Sequence, residues 1–358
     1  MNAVVDPPVV ESRSVPQPAA PHLAHSTHKF RLLLRREFWE HKGGFLWAPL
    51  IAGGISLLLT LMAVIVGEVA ARRAIGSGKL TIDGNVVVNG LDLSVLSGKL
   101  DAEKMQQLAQ GIDLSLLKAA LWPFIVLAFV VFFYCLGALY DDRKDRSVLF
   151  WKSLPLSDAQ TVLSKVVSAT LVAPLLAVAA GVATMIGFMV LLSAVVLLHG
   201  GNPVALLWGP GNPLNVLASL LAAVPVFALW SLPTVGWLLL CSAWARTKPF
   251  LWAIMVPLFA GIFVSWFELM KVFNLDSSWF WSNVVGRMLL GTVPGADLLY
   301  RGNASGMTGP DSAQGLLEYL SASNTLSSLA MPELWIGVVA GAAMIFVAIR
   351  LRRWRDEG

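Results

Sequence analysis

The chain has 358 residues, of which 56% are hydrophobic and only 13% charged, and its mean hydropathy is +0.70. A soluble domain carries about a quarter charged residues, so a soluble enzyme or binding module is excluded and an integral membrane protein is expected. The formal charge of +4 is no nucleic-acid footprint, because the basic residues cluster beside apolar runs and not on one soluble face.

Residues 1–27 are rich in Pro, Ala, Val and Ser, lack the apolar core of a signal peptide, and read as a disordered tail. In 28–43 the character changes. Phe30, Leu33, Leu34, Phe38 and His41 recur at helical spacing, while Arg31, Arg35, Arg36 and Lys42 fill other faces beside Trp39. The pattern predicts an amphipathic helix lying in lipid headgroups, its arginines on anionic phosphates. From residue 44 to 351 follow six apolar runs of spanning length: 44–66, 117–138, 166–198, 214–241, 250–267 and 334–351. Inside lipid every backbone group must be satisfied internally, so each run is helical. Pro174 predicts a kink in the third, and Pro225 and Pro233 fall within the fourth.

Three polar stretches separate these runs. The first, 68–116, predicts a β-hairpin around Asp83-Gly84-Asn85 and a short helix at 101–110 stopped by Gly111. The second, 141–160, packs Asp141, Asp142, Arg143, Lys144, Asp145 and Arg146 into one burst. An aromatic patch with Phe150 and Trp151, the Pro155 break and the helix-start signal Ser157-Asp158 follow it. The third, 268–333, contains Trp279-Phe280-Trp281 and an apolar run broken by Gly291 and Pro294. That run is too short to span and predicts interfacial or re-entrant helices. Residues 352–358 form a basic tail. Six spans set both termini on one side. The segments sharing that side hold 17 Lys and Arg, against nine in the longer loops opposite, which also carry 12 acids. The positive-inside rule makes both termini cytoplasmic.

Other chemical signals are weaker. Asp141-Asp142-Arg143-Lys144-Asp145 spells DDxxD, a pattern that holds magnesium and diphosphate in prenyl-transfer enzymes. It stands among cations and without a second acidic motif, so the magnesium-dependent lipid diphosphate enzyme is kept only as an alternative. A non-transporting membrane scaffold or sensor is the other. Gly76-Ser77-Gly78-Lys79 lacks the first Gly and the final Ser or Thr of a phosphate-binding loop. Cys135 and Cys241 have no metal-ligand spacing and read as small core residues, and His199 reads as an interface residue. No metal site is expected. Gly337 and Gly341 in the last run allow close helix approach. No ionisable residue lies deep in a span, which argues against proton or sodium coupling.

The stretch DRKDRSVLFWKSLPLSDAQTVLSK resembles the cytoplasmic loop between spans two and three of ABC-2 type exporter permeases, and RREFWEHKGGFLWAPL (35–50) is similar to their interfacial helix and first span. The resemblance implies an all-α, six-helix permease subunit in a bacterial inner membrane, with no catalytic residue and no cofactor of its own. It would pair with a second permease subunit, identical or paralogous, and with two cytoplasmic ABC ATPase subunits that carry ATP and magnesium. Arg143, Asp145, Arg146, Phe150, Trp151, Lys152 and Leu154 would then dock a coupling helix on the ATPase. Arg31, Arg35, Arg36, Phe38 and Trp39 would hold the interfacial helix in the membrane lipids. Trp279, Trp281 and Pro294 would belong to re-entrant extracellular helices that gate the exit.

Overall fold

A computed structural model describes residues 26–76, 101–145, 156–271, 276–298, 300 and 312–355. Among them the chain is helical, without a strand. The hairpin expected around Asp83 and the Phe150–Leu154 patch lie outside the described residues.

The amphipathic segment forms α1 (Ser26–Glu40), followed by a π-turn (Gly43–Trp47) and the first span, α2 (Ala48–Gly76). The second span is longer than expected. α3 (Ala102–Gly137) runs through Gly111 without stopping there. A glycine inside a helix costs only about 1 kcal/mol, and Ile112 and Leu116, buried on the following turn, hold the helix in register. The short α4 (Tyr140–Lys144) closes this rod. α5 (Asp158–Val167) starts on a capping box, with Ser157 Oγ accepting from Gln160 N and Gln160 Oε1 from Ser157 N. It continues through a π-turn (Ser168–Val172) into α6 (Ala173–Leu198). The π-turn stands immediately before Pro174, where the sequence predicted a kink. Proline offers no N–H to the preceding turn, and the Ala173 N–H instead reaches back to Ser168 O.

The fourth apolar run divides into α7 (Pro213–Trp230) and α8 (Leu232–Trp244), broken at Ser231 just before Pro233, while Pro225 is absorbed inside α7. α9 (Pro249–Leu269) is the fifth span, entered from Lys248 at positive φ. α10 (Ser277–Phe280), a π-turn (Trp281–Gly286) and α11 (Arg287–Leu290) form one short helical rod. α12 (Ala313–Tyr319) and α13 (Ala322–Ser327) follow, and α14 (Pro332–Arg355) is the last span.

Among the described residues six helices are thus long and apolar enough to cross a membrane. Their packing agrees with that role. α3, α6 and α8 supply most of the buried core, whereas α2 and α9 turn Ile51, Ile55, Leu58, Met62, Phe259, Ile262 and Phe263 outward. A continuous apolar exterior of this kind is stable against lipid and not against water. The protein is a multi-pass membrane protein.

α8 and α14 make the closest crossing. A Cβ on Gly341 would stand 2.6 Å from the Leu232 carbonyl carbon, and one on Gly236 would stand 2.7 Å from Gly341 O. Both obstacles are backbone and neither can swing aside. Gly341→Val is therefore expected to lower stability by roughly 1–3 kcal/mol or more through overpacking, read as a fall in the thermal midpoint of the purified protein. Gly54→Val, where nothing lies within 4 Å of the added Cβ, should leave the midpoint unchanged.

Candidate functional site

One end of the bundle, here its base, gathers α1, α4, the start of α5, the 242–248 turn and the end of α14. Charged groups hold them. Leu33 and Glu37 lie one helical turn apart on the face of α1 that packs on α5 and its π-turn, and both are buried. Glu37 is 1% exposed. Its Oε2 accepts from the Tyr134 hydroxyl of α3 at 2.7 Å, and its Oε1 faces Lys165 Nζ of α5 at 3.2 Å. The His41 and Phe45 rings pack edgewise on Tyr134 at 4.7 and 4.9 Å. Lys165, 2% exposed, also reaches Asp142 Oδ2 of α4 at 3.5 Å. Arg352 of α14 contacts the same Asp142 oxygen at 3.4 Å, and its Nε contacts Asp158 Oδ1 at 3.3 Å. Five charges from four helices thus share one buried knot.

Arg143 makes a second tie. Its guanidinium donates to Ser242 O, to Ala245 O at 3.0 Å and to Leu139 O at 3.4 Å. Ser242 Oγ in turn accepts from the Leu139 and Tyr140 amides at 3.0 and 2.9 Å. The described residues on either side of 146–155 are therefore fixed to the base: Asp142 and Arg143 before it, Asp158 and Lys165 after it.

The residues predicted for partner docking divide accordingly. Arg143 is engaged inside the protein, Asp145 is exposed, and Arg146, Phe150, Trp151, Lys152 and Leu154 lie outside the described residues. On α1, Arg31, Arg35 and Trp39 are exposed beside Leu32, Phe38 is half-buried, and Arg36 pairs with Glu40 at 3.1 Å. The outward face is thus basic and aromatic, and the inward face packs on protein. Asp141, Asp142 and Asp145 line a cleft of about 700 Å³ together with His41 and Lys165. Asp142 there faces two cations, and among the described residues no group of three His, Cys, Asp or Glu is placed to hold a metal ion.

Sequence reasoning missed Glu37, Tyr134, Lys165 and Arg352. Signals were present: Glu37 interrupts the apolar stripe of α1 four residues after Leu33, and Lys165 stands between Ser164 and Val166 at the mouth of an apolar run.

The opposite end is built differently. His199 Nε2 and Glu68 Oε2 stand 3.0 Å apart, linking the ends of α6 and α2, and Arg72 holds the other Glu68 oxygen at 2.6 Å. Trp281 lies on Gly261 of α9 with its Nε1 on Ser265 Oγ at 2.8 Å. Pro294 lines an apolar cavity of about 500 Å³ walled by α3, α7 and residues 293–298, while Trp279 faces a separate polar cavity of about 650 Å³. The three predicted gate residues do not converge. Burial lowers the basicity of the Arg287 guanidinium and raises the Tyr300 phenol above its ordinary range.

Comparison with family models, curated proteins and solved structures returns no match.

Two outcomes are expected. Lys165→Met leaves Glu37 and Asp142 buried without their shared cation and should destabilise by about 3–5 kcal/mol. Adding Glu37→Gln should recover part of that loss, a positive coupling measured by thermal unfolding of both single variants and the pair. Separately, the Val195 carbonyl and then Glu68 raise the His199 pKa above its ordinary value. The α2–α6 tie is therefore complete below about pH 6.5 and weakens as pH rises through the raised value. The His199 titration followed by NMR should move part-way back down in Glu68→Gln.

Proposed function

We propose that the chain is the permease subunit of an ATP-driven exporter of the ABC-2 type. It would work as a pair with a second permease subunit and with separate ATPase subunits on the cytoplasmic face. The observation that carries this reading is the fixed base on both flanks of segment 146–155. A partner that pulled on Phe150 and Trp151 would meet fixed chain at both described flanks. The load would pass through Asp142 and Arg143 to α3 and the α8 turn, and through Asp158 and Lys165 to α5, α1 and α14. Such an arrangement converts a local push into rigid-body movement of spans, which is what alternating access requires.

Two further features support it. Among the described residues the long spans carry no buried charge pair in their middle, which fits a transporter whose energy arrives from outside the membrane region. The base also collects Lys- and Arg-rich segments, which by the positive-inside rule supports a cytoplasmic placement for it in the proposed bacterial inner-membrane setting. There the exposed Arg31, Arg35 and Trp39 of α1 suit anionic headgroups.

Co-expression with candidate ABC ATPase subunits from the same genome tests the reading. Removing two aromatic anchors from a docking patch costs about 2 kcal/mol or more each. Phe150→Ala with Trp151→Ala should therefore cut ATPase co-purification at least tenfold, while the thermal midpoint of the chain itself holds. Full retention of the ATPase by the double variant would remove this assignment.

A further inference from the structure

Far from the charge knot, two cavities meet at one indole. Trp230, at the end of α7, lines both the apolar cavity of about 500 Å³ and the polar cavity of about 650 Å³. Residues 290–298 and Tyr300 contribute to the rest of the common wall, Pro294 and Leu298 facing the first space and Ala296 and Tyr300 the second. The apolar side is walled by Leu121, Phe124, Leu220 and Ala223, with Lys118 and the buried Asp297 as its charged members. Asp297 is bonded to Ser328 Oγ at 3.4 Å.

On the polar side, Arg287 is 7% exposed. It donates to the carbonyls of Glu333 and Leu334, and its guanidinium carbon stands 4.2 Å from the Trp230 ring centroid. Its Nε and the Trp230 Nε1 are buried without a hydrogen-bond partner among the described residues. No carboxylate among those residues comes within ion-pair distance of it, although Asp276 and Glu333 line the same cavity. Glu333 acts on the guanidinium only through space, and a buried cation without a counter-charge in contact is costly. A phosphate would supply that charge, and the two carboxylates at the rim would suit an amine carried on the same headgroup.

We propose that this junction binds an amphiphile with a zwitterionic phosphate–amine headgroup, its phosphate on Arg287, its amine toward Glu333 and Asp276, and its acyl chain in the apolar cavity across Trp230. A space of about 500 Å³ with few polar groups is of the size that holds one such ligand. The site is a property of the chain alone and stands or falls apart from the exporter reading.

The test uses the full chain, without ATPase or ATP, in nanodiscs holding equal amounts of phosphatidylethanolamine, phosphatidylglycerol and diacylglycerol. Lipid retained after transfer to detergent is counted by native mass spectrometry. The wild type should keep phosphatidylethanolamine at least tenfold over both others. Arg287→Gln should abolish its advantage over diacylglycerol, and Glu333→Gln its advantage over phosphatidylglycerol. Ala223→Trp, which fills the apolar side and leaves Arg287 untouched, should remove all retained lipid. Absence of a preference in the wild type overturns the proposal, as does unchanged retention in Ala223→Trp and Glu333→Gln.

Discussion

Lys165 is the constraint on which the base of this protein depends. Its ammonium is out of reach of water and stands between two carboxylates, Glu37 and Asp142, that come from elements before and after the second span. Three buried charges in a low-dielectric setting tolerate little displacement, because moving any one leaves the others unpaired. Such a knot adds less to stability than well-packed apolar groups of the same volume would. What it supplies is a single arrangement: α1 can dock on α5 only in the register that brings Glu37 to Lys165, and α14 only where Arg352 meets Asp142 and Asp158.

The two ends of the molecule therefore differ in kind. The base is built from long-range polar ties between the termini of long helices. The far end is built from the short helices α10 to α13, packed around cavities and held by aromatic donors such as Trp281 on Ser265. Short rods with few ties yield more readily than a bundle base locked by charges. In the proposed exporter this asymmetry gives the movement its direction: the base moves as one body, and the cavities between α3, α7 and residues 291–298 change shape.

The spans were legible in the sequence because lipid leaves so few options: an uncharged run of spanning length is a helix, and the proline positions marked where the third and fourth runs are disturbed. Gly111 misled, since a stop signal that is decisive in a marginal helix is minor in one whose next turns are buried. The charge knot was not legible for a reason of distance. Tyr134 and Glu37 are 97 residues apart, Arg352 and Asp158 are 194, and Arg352 and Asp142 are 210. Local pattern reads charges beside a span as facing water, and only the packing of four helices turns these inward. Arg287 escaped in the same way, as a lone cation in an apolar run whose partner surface, the Trp230 ring and the start of α14, lies elsewhere in the chain.

The claim that the base moves as a unit is open to direct measurement by pulsed electron paramagnetic resonance on the chain assembled with the proposed ATPase. The native cysteines, Cys135 and Cys241, are buried, so spin labels can be set at chosen exposed positions. Labels at Lys144 and Arg353 report across the charge knot, and labels at Leu198 and Leu269 report across the far end. The account predicts one narrow distance for the first pair, unchanged by ATP, and a shift for the second pair when ATP binds. A first pair that broadens or moves with ATP, while the second stays fixed, would contradict it.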